Sequence, residues 1–175
     1  MAIKSGWVGR YFEDFAVGDV YQHPLGRTIL ESDNTWFTLL TMNTNQNHFN
    51  AVYASRSPYG RVIVNSGLTL ALVLGISVTD VSQNAIANLG WESIKLPHPV
   101  FVGDTLWGES LVLETRPSRK YAYGGIVRFR TRGLNQDGKV CVSYNRTVLL
   151  YRRDAPHNKN VFPIAETPIE QEPNG

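Results

Sequence analysis

Residues 65–79 contain no charged side chain and have aliphatic side chains on every side of a helical wheel. A helix that is apolar all round is buried in a protein or spans a membrane, and Leu68–Val78 is too short for a span of ~20 residues. Asn65 or Ser66 can cap the first turn. A buried strand is the alternative, because Val and Ile are β-branched, but length, capping and leucine content favour a helix. The pattern predicts a buried helix over 66–79.

The chain after this helix predicts strands almost throughout, because short apolar runs alternate with Gly, Pro, Asn and Asp turn signals. Alternation is clearest in the third run, where Val127, Phe129 and Thr131 face one way and three arginines, at positions 128, 130 and 132, face the other. One packed and one exposed sheet face produce such a pattern. The four predicted strands are 86–96, 105–115, 126–134 and 140–151. An antiparallel sheet wrapped around one central helix, an α+β fold, is therefore expected.

The part of the chain before the central helix predicts shorter elements. Residues 1–17 read as an irregular lead-in, and 20–29 as an early strand interrupted by turn residues. Ser32 is a good N-cap for a short helix through Met42, with an apolar face made by Trp36, Phe37, Leu39 and Leu40. A polar loop with four asparagines follows at 43–50, and 51–54 fits one helical turn.

Composition and charge narrow the class of protein. At 175 residues the chain fits one domain over 1–153 and an irregular tail over 154–175. The net charge of +2 is too balanced for a nucleic-acid or membrane surface, so neither partner is expected. The single cysteine, Cys141, excludes an internal disulfide and lies in an apolar run. With no apolar leader or membrane span in the sequence, a cytoplasmic location is expected.

His48 is the best candidate for proton transfer, because it lies in the polar loop before the central helix and an unperturbed imidazole titrates near ~6.5. A histidine that only closes a turn is the structural alternative. His23 and His98 adjoin prolines and His157 is in the tail, so the spacing predicts no metal site.

Two other features could bind an anionic group. The backbone amides of Ser66 and Gly67, at the positive end of the central helix, can stabilise a developing oxyanion. The arginine stripe at 128, 130 and 132 could hold phosphates, but an ordinary exposed strand face is the favoured explanation.

Three stretches, in order, resemble the MaoC-like dehydratase family of hotdog-fold proteins, relatives of (R)-specific enoyl-CoA hydratases. Residues 43–48, Asn-Thr-Asn-Gln-Asn-His, resemble the family's hydratase loop, Asp-x-Asn-Pro-x-His. Residues 63–68, Ile-Val-Asn-Ser-Gly-Leu, resemble its helix start, Ile-Val-His-Gly-Met-Leu. Residues 94–104 resemble its Lys-x-Pro-Val-x-x-Gly-Asp signature, and 11–19 read like the start of such a domain. The resemblance covers roughly residues 10–152 and implies a hotdog fold.

The resemblance also implies a reaction, the hydration of an enoyl-CoA or the dehydration of a 3-hydroxyacyl-CoA. By position His48 is the acid–base group, Asn45 the supporting asparagine, and the Ser66 amide, with Asn65 and Gly67 beside it, the contact to the thioester carbonyl. Asn43 stands where the family has its catalytic aspartate, and an amide cannot take a proton at neutral pH. Either Asn43 positions water for His48, or a carboxylate (Glu31, Asp33 or Glu92) compensates, or catalysis has been lost.

Several expectations follow from this resemblance. No cofactor is required beyond CoA, which is part of the substrate. The loop and the strand at 88–91 suggest a short branched or dicarboxylic acyl group of the itaconyl or mesaconyl type. A thioesterase and a non-catalytic acyl-CoA-binding domain are the rival functions. A homodimer or higher assembly is expected, because a single hotdog leaves an edge strand unpaired.

Overall fold

The central helix and the sheet that covers it dominate the computed structural model, which describes residues 4, 6–156, 161–167 and 169. Short 3₁₀ helices occur at Phe12–Asp14 and Gln46–His48. The helices and strands in chain order are β1 (Val20–Gln22), β2 (Arg27–Thr28), α1 (Glu31–Leu40), α2 (Ala51–Ser55), α3 (Ser66–Val81), β3 (Ala85–Lys95), β4 (Thr105–Pro117), β5 (Gly124–Leu134) and β6 (Val140–Tyr151).

All strand pairs in the sheet are antiparallel, in the order β1-β4-β5-β6-β3, with β2 pairing the start of β4. The four strands predicted after the helix are confirmed within about two residues at each end. The early strand predicted over 20–29 is broken into β1 and β2, with Pro24, which cannot donate to a ladder, between them. Helix α3 packs against β4 and β6, so the predicted α+β hotdog fold is confirmed.

Helix α3 is confirmed as a helix, but only one of its sides is buried. Five of its sixteen residues are buried: Leu68, Thr69, Val73, Ser77 and Val81. The last four of these residues, from Thr69 to Val81, follow one another at intervals of four positions. This spacing places them on one stripe of the helix, which faces the sheet. The prediction that most of the helix is buried is wrong, because the sheet covers one face and leaves Ala71 and Gly75 exposed.

Two hydrophobic clusters form the core beneath α3. The first contains Val73, Val142 and Tyr144, and the second contains Val81 and Val148. Helix and sheet approach closely at the first cluster, where any side chain on Gly133 would collide with Val73.

The alternating strand predicted at 126–134 is confirmed in detail. Val127, Phe129 and Thr131 are buried on the side of β5 that faces α3. The arginines on the other side are engaged by neighbouring side chains: Arg128 by Glu92, Arg130 by Asn145 and Arg132 by Glu109. The stripe is therefore the outer face of the sheet, as the favoured explanation held.

Helix α1 differs from its prediction in its cap and ends. It begins at Glu31, with Leu30 as the N-cap residue, so the prediction of Ser32 as the cap is wrong. Asp33 closes this end instead, because its Oδ2 accepts the Leu30 backbone N–H at 2.9 Å. The helix ends at Leu40 rather than Met42, whose φ of 57° is incompatible with a continuing helix.

The buried side of α1 is also not the predicted one. Asn34 and Thr38 point inwards, with 1% and 0% exposure, while Trp36, Leu39 and Leu40 lie on the surface. The prediction of Trp36, Leu39 and Leu40 as an inward apolar face is therefore wrong, and only Phe37 of that set packs against the core. Polar contacts to the loop and to the start of α3 decide which side of α1 faces inwards.

The end of the chain beyond β6 is described only in part. The described portions of 154–175 hold no helix or strand, although Ala155 is buried. His157 and the rest of 157–160, 168 and 170–175 lie outside the described residues. No helix of the described chain is both long and apolar enough to cross a membrane.

Candidate active site

His48 is held in one orientation by the backbone. It ends the 3₁₀ turn Gln46–His48, which Asn45 caps by accepting the Asn47 N–H at its side chain. His48 is 8% exposed, and its Nδ1 lies 3.0 Å from the carbonyl oxygen of Ile63. A carbonyl can only accept, so Nδ1 carries the proton of the neutral ring. The lone pair is therefore on Nε2, which is the atom that can take a proton from water.

Asn34 connects the two halves of the site. Its Nδ2 donates to the backbone oxygens of His48 at 2.8 Å and of Ile63 at 3.2 Å. Its Oδ1 accepts the backbone N–H of Asn65 at 2.8 Å. The sequence analysis missed this residue; a polar pair at positions i and i+4, Asn34 and Thr38, on one side of the predicted helix was the available signal.

Asn65 caps helix α3 and thereby selects which amides remain available. Its Oδ1 accepts the Gly67 N–H at 2.9 Å, and its Nδ2 donates to Thr38 Oγ1 at 3.2 Å. The Gly67 amide is thus occupied, so it does not serve as the predicted donor to a carbonyl while the cap is formed. The Ser66 amide has no acceptor among the residues that the structure describes. Of the two predicted donors, Ser66 is the one that can meet an oxyanion.

Asn43 is also fixed in the loop. Its backbone N–H donates to Thr38 O at 3.0 Å, and its Oδ1 accepts the Asn45 N–H at 2.9 Å. Asn34 and Thr38 of α1 therefore tie the loop to the start of α3. The loop contributes Asn43, Asn45 and His48, and the helix start is Asn65–Gly67. The second lone pair of Asn43 Oδ1 can accept a hydrogen bond from water, but the amide cannot take a proton.

Two of the three carboxylates considered as replacements for an aspartate at position 43 are engaged elsewhere. Asp33 pairs with Arg27 at 2.8 Å and closes the start of α1. Glu92 pairs with Arg128 at 2.6 Å on the outer face of the sheet. Glu31 is exposed at the first residue of α1. The structure thus gives Asp33 and Glu92 other roles.

A cavity of about 230 Å³ opens beside the Ser66 amide. Ile63, Ser66 and Thr69 line one side of it, and the segment 96–100, with Tyr59, lines the other. Two contacts fix that segment beside the helix start: Val64 N–H donates to Val100 O at 2.8 Å, and Ile63 bridges to Phe101. His98 also lines this cavity.

The Gly-Asp signature at 103–104 shapes this wall without contacting the cavity. Gly103 has a φ of 95°, which favours glycine, and Asp104 Oδ2 accepts the Phe101 N–H at 2.9 Å. The backbone of this turn is further tied to Ile29 by two hydrogen bonds. This motif is therefore a structural determinant of the site.

His23 forms a second buried polar chain at the other end of α3. Its Nδ1 lies 2.9 Å from Asp80 Oδ2, and its Nε2 lies 3.0 Å from Ser110 Oγ. Burial alone would raise the pKa of Asp80, but hydrogen bonds from His23 and Arg10 outweigh it, so that pKa lies below its usual range. Ser110 is fully buried and also bonded to Thr131, so no substrate can reach it. These hydrogen-bonded side chains join the end of α3 to the sheet.

Comparison with known proteins matches the chain to the mesaconyl-CoA hydratase family model over residues 4–161. A mesaconyl-CoA hydratase of Cereibacter sphaeroides is 35% identical over 83% of this chain and 42% of its own length. An (R)-specific enoyl-CoA hydratase of Rhodospirillum rubrum is 30% identical over 82% of this chain and 93% of its own. The chain therefore spans less than half of the first relative and nearly all of the second.

Solved structures agree with the hotdog fold. A putative MaoC domain protein dehydratase from Chloroflexus aurantiacus matches with a TM-score of 0.81 and 32% identity, over 98% of this chain and 47% of that one. A Mycobacterium tuberculosis protein with a double hotdog fold matches with a TM-score of 0.74 and 20% identity, over 87% of this chain and 46% of that one. Both structures are about twice as long as the region that this chain matches.

Proposed function

The chain belongs to the mesaconyl-CoA hydratase family of MaoC-like hotdog proteins, and we propose that it adds water to, or removes it from, an α,β-unsaturated acyl-CoA thioester. One observation carries the proposal. His48 presents an unprotonated Nε2 from a loop that Asn34 ties to the start of α3. At that helix start the Ser66 amide is available beside a cavity. A base and an oxyanion donor held on one rigid framework are what addition of water to an enoyl thioester requires.

In the hydration direction, His48 Nε2 takes a proton from water as the oxygen adds to the β-carbon. The electron pair of the double bond moves to the thioester oxygen, which the Ser66 N–H stabilises as an enolate. The proton then held by His48 is delivered to the α-carbon, so that one water is added and the base is restored. Asn43 holds the water through its amide and exchanges no proton.

The acyl group that this site favours is proposed to be short and either branched or dicarboxylic. Support comes from the printed functions of the relatives, a mesaconyl-CoA hydratase and, in Chloroflexus aurantiacus, a β-methylmalyl-CoA dehydratase that is 34% identical. A cavity of about 230 Å³ beside Ser66 also suits a small acyl group. An acyl-CoA substrate agrees with the expected cytoplasmic location.

We further propose that two copies of the chain assemble through β3. This strand is the last in the sheet, and it presents exposed apolar side chains, among them Leu89, Trp91 and Ile94. The Mycobacterium tuberculosis protein with a double hotdog fold is matched over 46% of its length, and in the proposed dimer a second copy of this chain supplies the other unit. Unpaired edges of this kind are normally covered.

Light scattering tests this assembly. Leu89→Asp in β3 is expected to shift the mass from dimer to monomer, whereas Leu39→Asp, at an equally exposed leucine on α1, is expected to leave the dimer intact. A monomeric wild-type chain, or a dimer broken by the α1 variant alone, would contradict assembly through β3.

A panel of enoyl-CoA thioesters, scored separately for hydration and for release of free CoA, tests the activity. Hydration without CoA release is the expected result. Rapid CoA release would show a thioesterase instead, and tight binding without turnover would show an acyl-CoA-binding domain, a function that the amide at position 43 favours. Asn43→Asp restores the family's usual residue and is the informative variant. A several-fold gain in hydration would mean that the native loop is weakened, and a loss would mean that it is tuned to an amide.

A further inference from the structure

His98 is the described histidine whose two ring nitrogens are both free. His23 uses both of its nitrogens and His48 uses one, in the hydrogen bonds described above. The imidazole of His98 has no hydrogen-bond or ion-pair partner among the described residues, although the residue is half-buried and lines the cavity beside Ser66. Every form of an imidazole carries at least one N–H, so this wall of the cavity holds an unused donor.

The backbone register places His98 opposite Ser66. Residues 63–64 pair with 100–101 through one antiparallel bridge and one backbone hydrogen bond. In an antiparallel pair each step forward along one segment is a step back along the other, so two further steps bring Ser66 opposite His98. Opposite residues of such a pair have Cβ atoms roughly 4.5–5.5 Å apart while the pairing lasts.

The pairing ends before it reaches these two residues. Ser66 is the first residue of α3, where the backbone turns away from the extended path, and it is exposed. The prolines on both sides of His98, at 97 and 99, have no N–H to donate to a ladder. The two segments therefore separate, and the cavity of about 230 Å³ lies between them, with the Ser66 amide on one wall and His98 on the other.

The start of α3 supplies only one donor to an oxyanion. The Gly67 amide is taken by the Asn65 side chain, so the Ser66 N–H is the one that remains. The hydroxyl of Thr69, which also lines the cavity, lies 3.3 Å from Asn65 O and donates to it. An enolate oxygen can accept more than one hydrogen bond, and each preorganised donor contributes to its stabilisation. The second donor has to come from the opposite wall.

We propose that the imidazole of His98 donates the second hydrogen bond to the thioester oxygen, opposite the Ser66 N–H. This rests on the proposed hydratase function and adds a catalytic residue to it. His98 keeps its proton throughout: the proton of water still moves through His48 to the α-carbon, so one water is added and no other group changes its protonation state. The backbone of His98 is restricted because a proline follows it, which holds the donor in place before the substrate binds.

Steady-state hydration of mesaconyl-CoA and crotonyl-CoA by two variants of His98 tests the role. His98→Leu removes the donor and is expected to lower kcat by about 10²–10³-fold, the usual effect of losing one oxyanion donor. KM should change much less, because the hydrogen bond strengthens as negative charge develops on the oxygen. His98→Gln keeps an N–H donor that does not titrate, so it should recover a large part of kcat with the pH profile of the wild type.

Infrared spectroscopy of bound butyryl-CoA, labelled with ¹³C at the thioester carbonyl, reports the contact without turnover. Hydrogen bonds to a carbonyl lower its stretching frequency, and the saturated acyl group cannot be hydrated. The wild-type protein should shift the stretch to lower frequency, and His98→Leu should remove part of that shift. Tyr59→Phe is the comparison, because Tyr59 is the other side chain with a hydroxyl on the same wall. Loss of the shift in Tyr59→Phe instead of His98→Leu would overturn the assignment.

Circular dichroism and urea unfolding establish that each variant is folded, and His98→Ala replaces His98→Leu if leucine is not tolerated in this segment. Three further results would overturn the role of His98 and leave the hydratase intact: wild-type kcat in the folded variant without the donor, an equal loss in His98→Gln, or an unchanged carbonyl stretch. Inactivity of the wild type on every enoyl-CoA would instead refute the proposed function, while the infrared measurement would still show whether His98 contacts the thioester.

Discussion

Replacing Asn34 by alanine removes the side chain that joins α1 to the loop and to the start of α3. Three hydrogen bonds are lost: the buried ones to His48 O and from the Asn65 N–H, and a part-buried one to Ile63 O. Ile63 O keeps its bond from the His48 ring, so two backbone groups lose the partner that the structure gives them. An unsatisfied buried polar group costs about 1–3 kcal/mol, and water entering the space left by the side chain offsets part of it.

The expected loss in unfolding free energy is therefore about 2–4 kcal/mol. For a domain of this size that corresponds to a decrease in Tm of roughly 5–15 °C. Activity should fall as well, on the order of 10²-fold in kcat, because the loop carrying His48 and the helix start carrying Ser66 lose their common support. Urea unfolding at neutral pH and steady-state hydration of an enoyl-CoA, measured well below the Tm, check the two effects separately.

Asn84→Ala is the matched control, because Asn84 also donates two hydrogen bonds from Nδ2 to backbone oxygens, those of Val8 and Arg10, but lies away from the site. The control should lose stability while its kcat stays at the wild-type value. If Asn34→Ala behaves like the control, with lower stability and normal kcat, then Asn34 does not position the site and the reasoning is refuted.

The remaining predictions concern the interior. Because the pKa of Asp80 is depressed in the folded protein, its contribution to stability is present above the unfolded pKa and is lost as pH falls through the folded one. The stability gap between wild type and Asp80→Asn in urea unfolding should therefore shrink from neutral pH to about pH 2, and a constant gap would contradict the hydrogen bonding of the Asp80 carboxylate to His23 and Arg10. Gly133→Ala should lower unfolding free energy by about 1–3 kcal/mol through its collision with Val73, and adding Val73→Ala should recover part of it; no loss in the single variant would contradict the close packing.

The parts of the fold that the sequence predicts well are those with local periodicity. Strand β5 was predictable because Val127, Phe129 and Thr131 alternate with arginines, and that alternation is set by the strand itself. The uncharged run ending at Thr79 likewise predicted α3. Its one-sided burial was not predictable, because the extent to which a sheet covers a helix depends on tertiary structure rather than on the composition of the helix.

The two segments that form the site were predictable from the sequence, but the side chain that holds them together was not. The loop with His48 and the start of α3 were identifiable from local patterns and from the family resemblance. Asn34 was not, because its partners belong to segments fourteen to thirty-one residues away, and apolar residues on α1 suggested the opposite face.

The most direct test of the central claim compares the hydration of an enoyl-CoA by wild type and by His48→Ala. The reaction is monitored by the loss of enoyl-thioester absorbance, and released free thiol is assayed in parallel. The wild-type protein should hydrate the thioester without releasing CoA, and His48→Ala should lower kcat by about 10²–10⁴-fold, the usual contribution of one general acid–base group. Circular dichroism and urea unfolding confirm that the variant is folded. A folded His48→Ala protein with wild-type kcat would contradict the assignment of His48 as the acid–base group.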